Sequence, residues 1–362
     1  MKPPANQHPL RASRLARLLS ASGLAFILAG AQAQPSAEPP LVQPTSKPWD
    51  SGKGFAFEKD EPKTRKALSG IACTKNKAQE RVCLMVFDEG WQARFATLGN
   101  NKLVIDPEEV ELKNPKKKEL DAEGAATDGT YFYVTGSHSA KREGCVENKH
   151  SRHVIRFRLD PATGRAQPSP EGKLVDHPGK GDLWRIMKSL AELKNYVRKG
   201  NHCGVDIEGL AVSNGRLYFG FRSPAAILSV DADAFFKGEE PRSNVTLIEL
   251  GAGRGIRDMV AVENGFLLLT GPDDDQKNKS TVNWKIDWWD GKSVTPKTLA
   301  QLDLSGLTTP RTLQTGKREC KDNDERKPEA ITALDETPQA YKLLILSDGM
   351  CDGGAMTFTV NR

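Results

Sequence analysis

One pattern recurs along this chain and limits what it can fold into. It runs as an acidic or small residue, a short apolar stretch, a turn signal, then a second apolar stretch. Four copies start at Glu123, Glu208, Asp258 and Glu329, and a degenerate copy starts at Ser69. Their turn signals are Asp128-Gly129, Asn214-Gly215, Asn264-Gly265 and Asp335. Asn-Gly and Asp-Gly mark tight hairpins because the central turn positions require positive φ. Each copy therefore reads as a β-hairpin. Strand-like runs follow at 153–159, 227–230, 245–250, 284–288 and 356–360.

Units of three to four strands, repeated five times at irregular spacing, predict an all-β chain folded as a β-propeller. Five blades are favoured over six, and a β-sandwich is the competing architecture. The last unit ends at its third strand, so an N-terminal strand near 54–58 is expected to complete it. The stretch 182–200 breaks the pattern. Leu183, Ile186, Met187, Leu190, Leu193 and Val197 have helical spacing, with Gly200 as a stop. One inserted helix is expected there, packed outside the sheets rather than closing over a pocket.

The first 33 residues have the parts of a secretory signal peptide: basic Lys2, Arg11, Arg14 and Arg17, a short apolar core, and Ala31-Gln32-Ala33 before the expected cleavage point. A Pro-rich stretch, 34–50, is expected to be a disordered tether, leaving 51–362 as a single propeller domain. The formal charge of +5 includes the four basic residues of the signal. Without them about +1 remains, which argues against a nucleic-acid binder. No later segment is long and apolar enough to span a bilayer. Cys73, Cys83, Cys145, Cys203, Cys320 and Cys351 make an even count with no zinc-type spacing. Three disulfides and a periplasmic or secreted location follow, and the repeat topology pairs Cys73 with Cys83, Cys145 with Cys203, and Cys320 with Cys351.

In a propeller the first strand of each unit lines the axis. Glu123, Glu208, Asp258 and Glu329 then form an acidic ring on the face opposite the hairpin turns, where the second strands deliver His138, Arg222 and Asp348. Such a ring has four remedies for its charge. It can bind a hard cation, with calcium expected, or take up protons. It can accept backbone hydrogen bonds, or pair with Arg257 and Lys327 so that the carboxylates only pin one blade to the next.

The runs 119–138, 205–212, 253–258 and 346–351 resemble an uncharacterised exported bacterial family, the domain-of-unknown-function family 3616, over nearly the whole chain after the signal. That resemblance implies no catalytic assignment. A looser likeness, limited to the Glu-Gly-small-small element, links the chain to phytase-like esterase and gluconolactonase propellers, which hold calcium with acidic residues at the channel mouth.

The functional expectation is a cation-dependent hydrolase of an anionic or ester substrate. His138, Arg222, Arg257 and Asp348 would contact substrate, and a carboxylate would act as base. The alternative is a non-catalytic module binding a small molecule, a cell-envelope ligand or a protein through the same face.

Overall fold

Every copy of the repeat forms the antiparallel hairpin its pattern requires, and each hairpin is the inner half of a blade. The computed structural model describes residues 38–57, 61–112, 118–141, 143–168, 182–198, 204–274, 282–307, 310–315, 318–324 and 326–362. After an outlying strand β1 (Leu41–Val42), blade one contains β2 (Leu68–Lys75), β3 (Arg81–Phe87), β4 (Gln92–Gly99) and β5 (Lys102–Glu111). Blade two contains β6 (Ala122–Thr127), β7 (Tyr131–Gly136), β8 (Val154–Asp160) and β9 (Arg165–Ala166). Blade three contains β10 (Asp206–Ser213), β11 (Arg216–Ser223), β12 (Ala226–Asp231) and β13 (Ser243–Leu247). Blade four contains β14 (Arg254–Val262), β15 (Gly265–Pro272), β16 (Lys285–Trp289) and β17 (Lys297–Leu302). A small hairpin, β18 (Thr312–Thr315) and β19 (Arg318–Lys321), precedes blade five, which contains β20 (Lys327–Glu336), β21 (Ala340–Asp348) and β22 (Met356–Asn361).

The innermost strands touch in the order β2, β6, β10, β14, β20, and β20 returns to β2, so the ring is closed and five-bladed. Apolar side chains from facing sheets fill the spaces between blades. Phe132, Phe157, Val134 and Ile155 of blade two pack with Phe95, Val82 and Leu84 of blade one. Leu267, Leu269 and Ile286 of blade four pack with Ile331, Leu343 and Phe358 of blade five. On the axis, the strands enclose a cavity of about 170 Å³ lined largely by small residues, among them Ala72, Ala125, Ala126, Ala211, Ala261 and Ala333.

The blades approach closely because glycine follows the first residue of the repeat. A Cβ on Gly124 would lie 2.9 Å from the amide nitrogen of Leu210, and one on Gly209 would lie 3.0 Å from that of Met259. Neighbouring backbones could not meet there with a side chain between them.

Three expectations need correction. The last blade is not completed by residues 54–58. The described part of that segment forms no strand, and Phe55 and Phe57 are buried against Phe87. The edge of β22 is instead covered by residues 45–49. Thr45 N donates to Thr357 O (2.7 Å) and Trp49 N donates to Ala355 O (2.8 Å). Consequently the expected tether is structured over its second half. Leu41 and Val42 pair in parallel with Gln301 and Leu302 of β17, and Asp50 bridges to Lys102 of β5. This strap touches blades four, five and one in turn, and Trp49 is buried within it.

The expected single helix is two short ones, Leu183–Ser189 and Lys194–Arg198, broken at Leu190. Asp182 caps the first by accepting from Arg185 N. Their apolar residues pack against blades two and three, as expected of a helix outside the sheets. Gly200 lies outside the described residues.

Cys73–Cys83 and Cys320–Cys351 form as expected. The first joins residues directly opposite in the β2–β3 ladder. Cys145 is also disulfide-bonded, and its expected partner Cys203 lies outside the described residues.

Candidate functional site

Each inner strand is irregular at the same place. The ladder between the first two strands of a blade skips one residue, leaving Ser69, Glu123, Glu208, Arg257 and Glu329 without a cross-strand partner. These are β-bulges, which bend a strand and redirect a side chain. Five bulges around one axis make the ring, and it differs from the expected one at blade four. The ring residue there is Arg257, not Asp258.

The turns cause this offset. In blade three Ser213 pairs with Arg216, so Asn214 and Gly215 form the turn. In blade four Val262 pairs with Gly265, so Glu263 and Asn264 form it. Counting back from Asn-Gly therefore lands one residue late in blade four, and a one-residue slip sends a strand side chain to the other face. Asp258 is fully buried and its carboxylate accepts backbone amides: Met259 N at 2.7 Å and Ile331 N at 2.7 Å. Ile331 belongs to blade five, so Asp258 pins two blades together.

The other three expected carboxylates do gather. Glu208 and Glu329 are both buried, and Arg257 stands between them. Its Nη2 contacts Glu329 and lies 3.6 Å from Glu208 Oε2. Arg222 Nη1 lies 3.1 Å from Glu208 Oε1, and its Nη2 contacts Asp206. Asp348, at the end of β21, pairs with Lys327 at 3.3 Å. Expected substrate contacts Arg222, Arg257 and Asp348 thus lie at one mouth with the carboxylates. No hydrogen bond or ion pair among the described residues ties His138 to them. Its ring is buried, neither nitrogen has a hydrogen-bond partner, and the charges bearing on it are those of His153 and Arg152. Burial first, then those two neighbours, push its pKa down to about 3.

Asp121 and Asp206 also belong to the mouth. Each lies two residues before a ring glutamate, and an Asp-x-Glu pattern at 121–123 and 206–208 was the available signal. Asp121 bonds to the Ser137 hydroxyl. Asp88 joins from the end of β3 in blade one, and its Oδ1 is buried without a hydrogen-bond partner.

Glu123 differs from its neighbours. It is 8% exposed, yet its carboxyl makes no hydrogen bond or ion pair with any described residue. Burial, then the charges of Glu208, Asp121, Asp88 and Asp206, hold its pKa well above the usual carboxylate range. Burial and the charge of Asp348 act likewise on Asp88. Burial raises Asp206 to about 7 against the pull of Arg222, and Glu329 to about 8 against the pull of Arg257. Among the described residues, no three His, Cys, Asp or Glu side chains converge closely enough to hold a metal ion.

A closed ring of five blades around a buried, carboxyl-rich mouth defines the class: a five-bladed β-propeller with a polar site at one end of its axis. The chain belongs to the family described as "Protein of unknown function (DUF3616)", which matches residues 93–163 and 163–353. No curated protein matches it in sequence. Among solved structures it is similar to the glutaminyl cyclase of Myxococcus xanthus, with 10% identity and a TM-score of 0.44 over 90% of this chain and 98% of that chain. A GH43 β-1,3-galactosidase solved with galactodeoxynojirimycin has 8% identity and a TM-score of 0.44, over 88% of this chain and 94% of that one. A family 117 glycoside hydrolase from the marine bacterium Zobellia galactanivorans has 11% identity and a TM-score of 0.43, over 89% of this chain and 90% of that one.

Proposed function

We propose that the protein is exported and hydrolyses a small ester or amide at this mouth. Glu208 acts as general base, and Arg222 and Arg257 stabilise the oxyanion. The carrying observation is the placement of Glu208, buried on the axis with a guanidinium group on either side. A carboxylate so oriented can take a proton from an attacking water. Guanidinium groups held in a water-poor site favour negative charge developing on a substrate oxygen. Among the described residues, carboxyl groups from four blades outnumber the cations Arg222, Arg257, Lys327 and Lys63 around the mouth, so a neutral or cationic substrate suits it better than the anionic one expected from sequence.

Calcium, the cation expected from sequence, would compete with Arg257 for Glu208 and Glu329. It therefore inhibits if the arginines carry the reaction. A second reading, a non-catalytic binding module, is supported by the tie between Arg257 and Glu329, since carboxylates engaged this way can serve as walls alone.

The test is a panel of neutral and cationic nitrophenyl esters and anilides, assayed with protein purified from the exported fraction. Glu208→Gln is expected to lower kcat per folded molecule by about 100-fold. Turnover of no member, or equal turnover by the variant, would favour the binding module.

A further inference from the structure

Compensation of charge at the mouth is uneven. Glu208, Asp206, Glu329 and Asp348 each face a guanidinium or ammonium group of the chain itself. Among the described residues this stops at Glu123 and Asp88. Glu123 is more than nine-tenths buried and its carboxyl bonds to no described residue. Asp88 adds a buried Oδ1 without a partner. The charge of Asp88 bears on Glu123, and Asp121 bears on both. Lys63 at the rim feels the charge of Asp88, but it is engaged with Glu89.

We infer that this side of the mouth is the subsite for a primary ammonium group, seated between Glu123 and Asp88, and that the ligand is a small organic amine. The inference rests on reading the mouth as the ligand site, and it adds the class of substrate. A buried carboxyl without a partner has two routes to neutrality: a proton, or a cation brought by a ligand. An ammonium group is a compact charge with three donors, and two or three acceptors satisfy it. Calcium asks for six to eight oxygen ligands, and the described side chains offer no convergent set of three. A guanidinium group is planar and prefers a bidentate partner, which two carboxyls on separate strands do not supply. The ester or amide of the substrate would then extend across the axis toward Glu208 and its arginines.

Burial holds Glu123 and Asp88 toward their protonated forms, and an ammonium group favours their ionised forms, so amine binding is expected to be accompanied by proton release. The probe is 1,4-diaminobutane, with 1,4-butanediol as its neutral match, tetramethylammonium as a cation without N–H donors, and calcium chloride as the metal control. Calorimetry in two buffers of different ionisation enthalpy reads both affinity and proton release. The diamine is expected to bind with proton release, and to bind about tenfold more weakly to Glu123→Gln and Asp88→Asn. Both variants remove a charge from a repelling group, so each should melt no lower than the parent. Equal binding of the diol or of tetramethylammonium would overturn the subsite, as would a response to calcium alone, or undiminished diamine binding by both variants. Hydrolysis by the parent together with failed amine binding would reject the subsite and leave the role of Glu208 standing.

Discussion

Arg65 and Asp352 close the ring. Arg65 precedes the first strand of blade one, and Asp352 lies between the last two strands of blade five. Arg65 Nε donates to Asp352 Oδ1 and Nη2 to Oδ2, both at 2.8 Å. Ser51 Oγ and Phe55 N donate to the same carboxylate. Both side chains are 1% exposed. Breaking a buried pair strands the remaining charge, which costs about 3–5 kcal/mol. Arg65→Met and Asp352→Asn should each lower stability by that order, whereas the joint change Arg65→Met with Asp352→Leu should cost less than the sum. Urea denaturation of the three variants checks this; additive losses would show that the pair is not coupled.

Asp258 and Arg257 are adjacent but have different tasks, and substitution should separate them. Asp258 serves the fold through backbone amides on two strands. Asp258→Ala leaves those amides buried without acceptors, a loss of about 2–4 kcal/mol. Arg257 serves the mouth, and Arg257→Gln should abolish any turnover as well as loosen Glu329. A partly stable Asp258→Ala protein that retains full turnover per folded molecule is the expected outcome. Unchanged melting of that variant would remove the pinning role.

The hairpins were legible because Asp-Gly and Asn-Gly are chemically demanding turn residues, and five hairpins of one pattern imply five blades. The ring was legible at Glu123, Glu208 and Glu329 because each opens the first apolar run of its unit, followed by a small residue. It was not legible at blade four, where Glu263-Asn264 takes the turn and shifts the register by one residue. The strap was hidden for another reason. Its proline-rich composition resembles a disordered linker, and only Trp49 marks it as anchored. The burial of the His138 ring was not legible either, since topology places the end of β7 near the mouth but cannot say how the following loop covers it.

Stability should peak in mildly acidic solution, because two groups oppose each other. The mouth carboxyls have folded-state pKa values above those of the unfolded chain: about 7 for Asp206, about 8 for Glu329, and higher than usual for Glu123. Their stabilising contribution is complete below about pH 4 and is lost as pH rises through the folded values. His138 has the opposite sign. Its folded value, about 3, lies below the unfolded one, so its contribution is present above about pH 6.5 and is lost as pH falls. The melting temperature should therefore be highest at about pH 4–5, because above that the three carboxyls together lose more than the one histidine gains. Glu123→Gln should flatten the alkaline limb. His138→Asn should flatten the acid limb, since Asn tolerates the positive φ of 56° at that position. Parallel pH profiles for parent and variants would show that these groups do not govern stability.

Export and the strap together make the last prediction. Cleavage of the expected signal after Ala33 leaves a chain beginning at Gln34, which retains everything from Leu41 to Asp50. That stretch pairs with β17, covers β22 and bridges to β5, so it closes three blades that would otherwise present open edges or loose seams. Trp49 anchors it at 7% exposure, and Trp49→Ala should cost about 3–5 kcal/mol. A chain beginning at Ser51 should lose that anchor and every strap hydrogen bond, and should melt well below one beginning at Gln34. Mass spectrometry of the exported protein is expected to find Gln34, or a residue before Leu41, at its N-terminus. An exported form that begins beyond Asp50 and melts at the same temperature would show that the strap contributes nothing to closure.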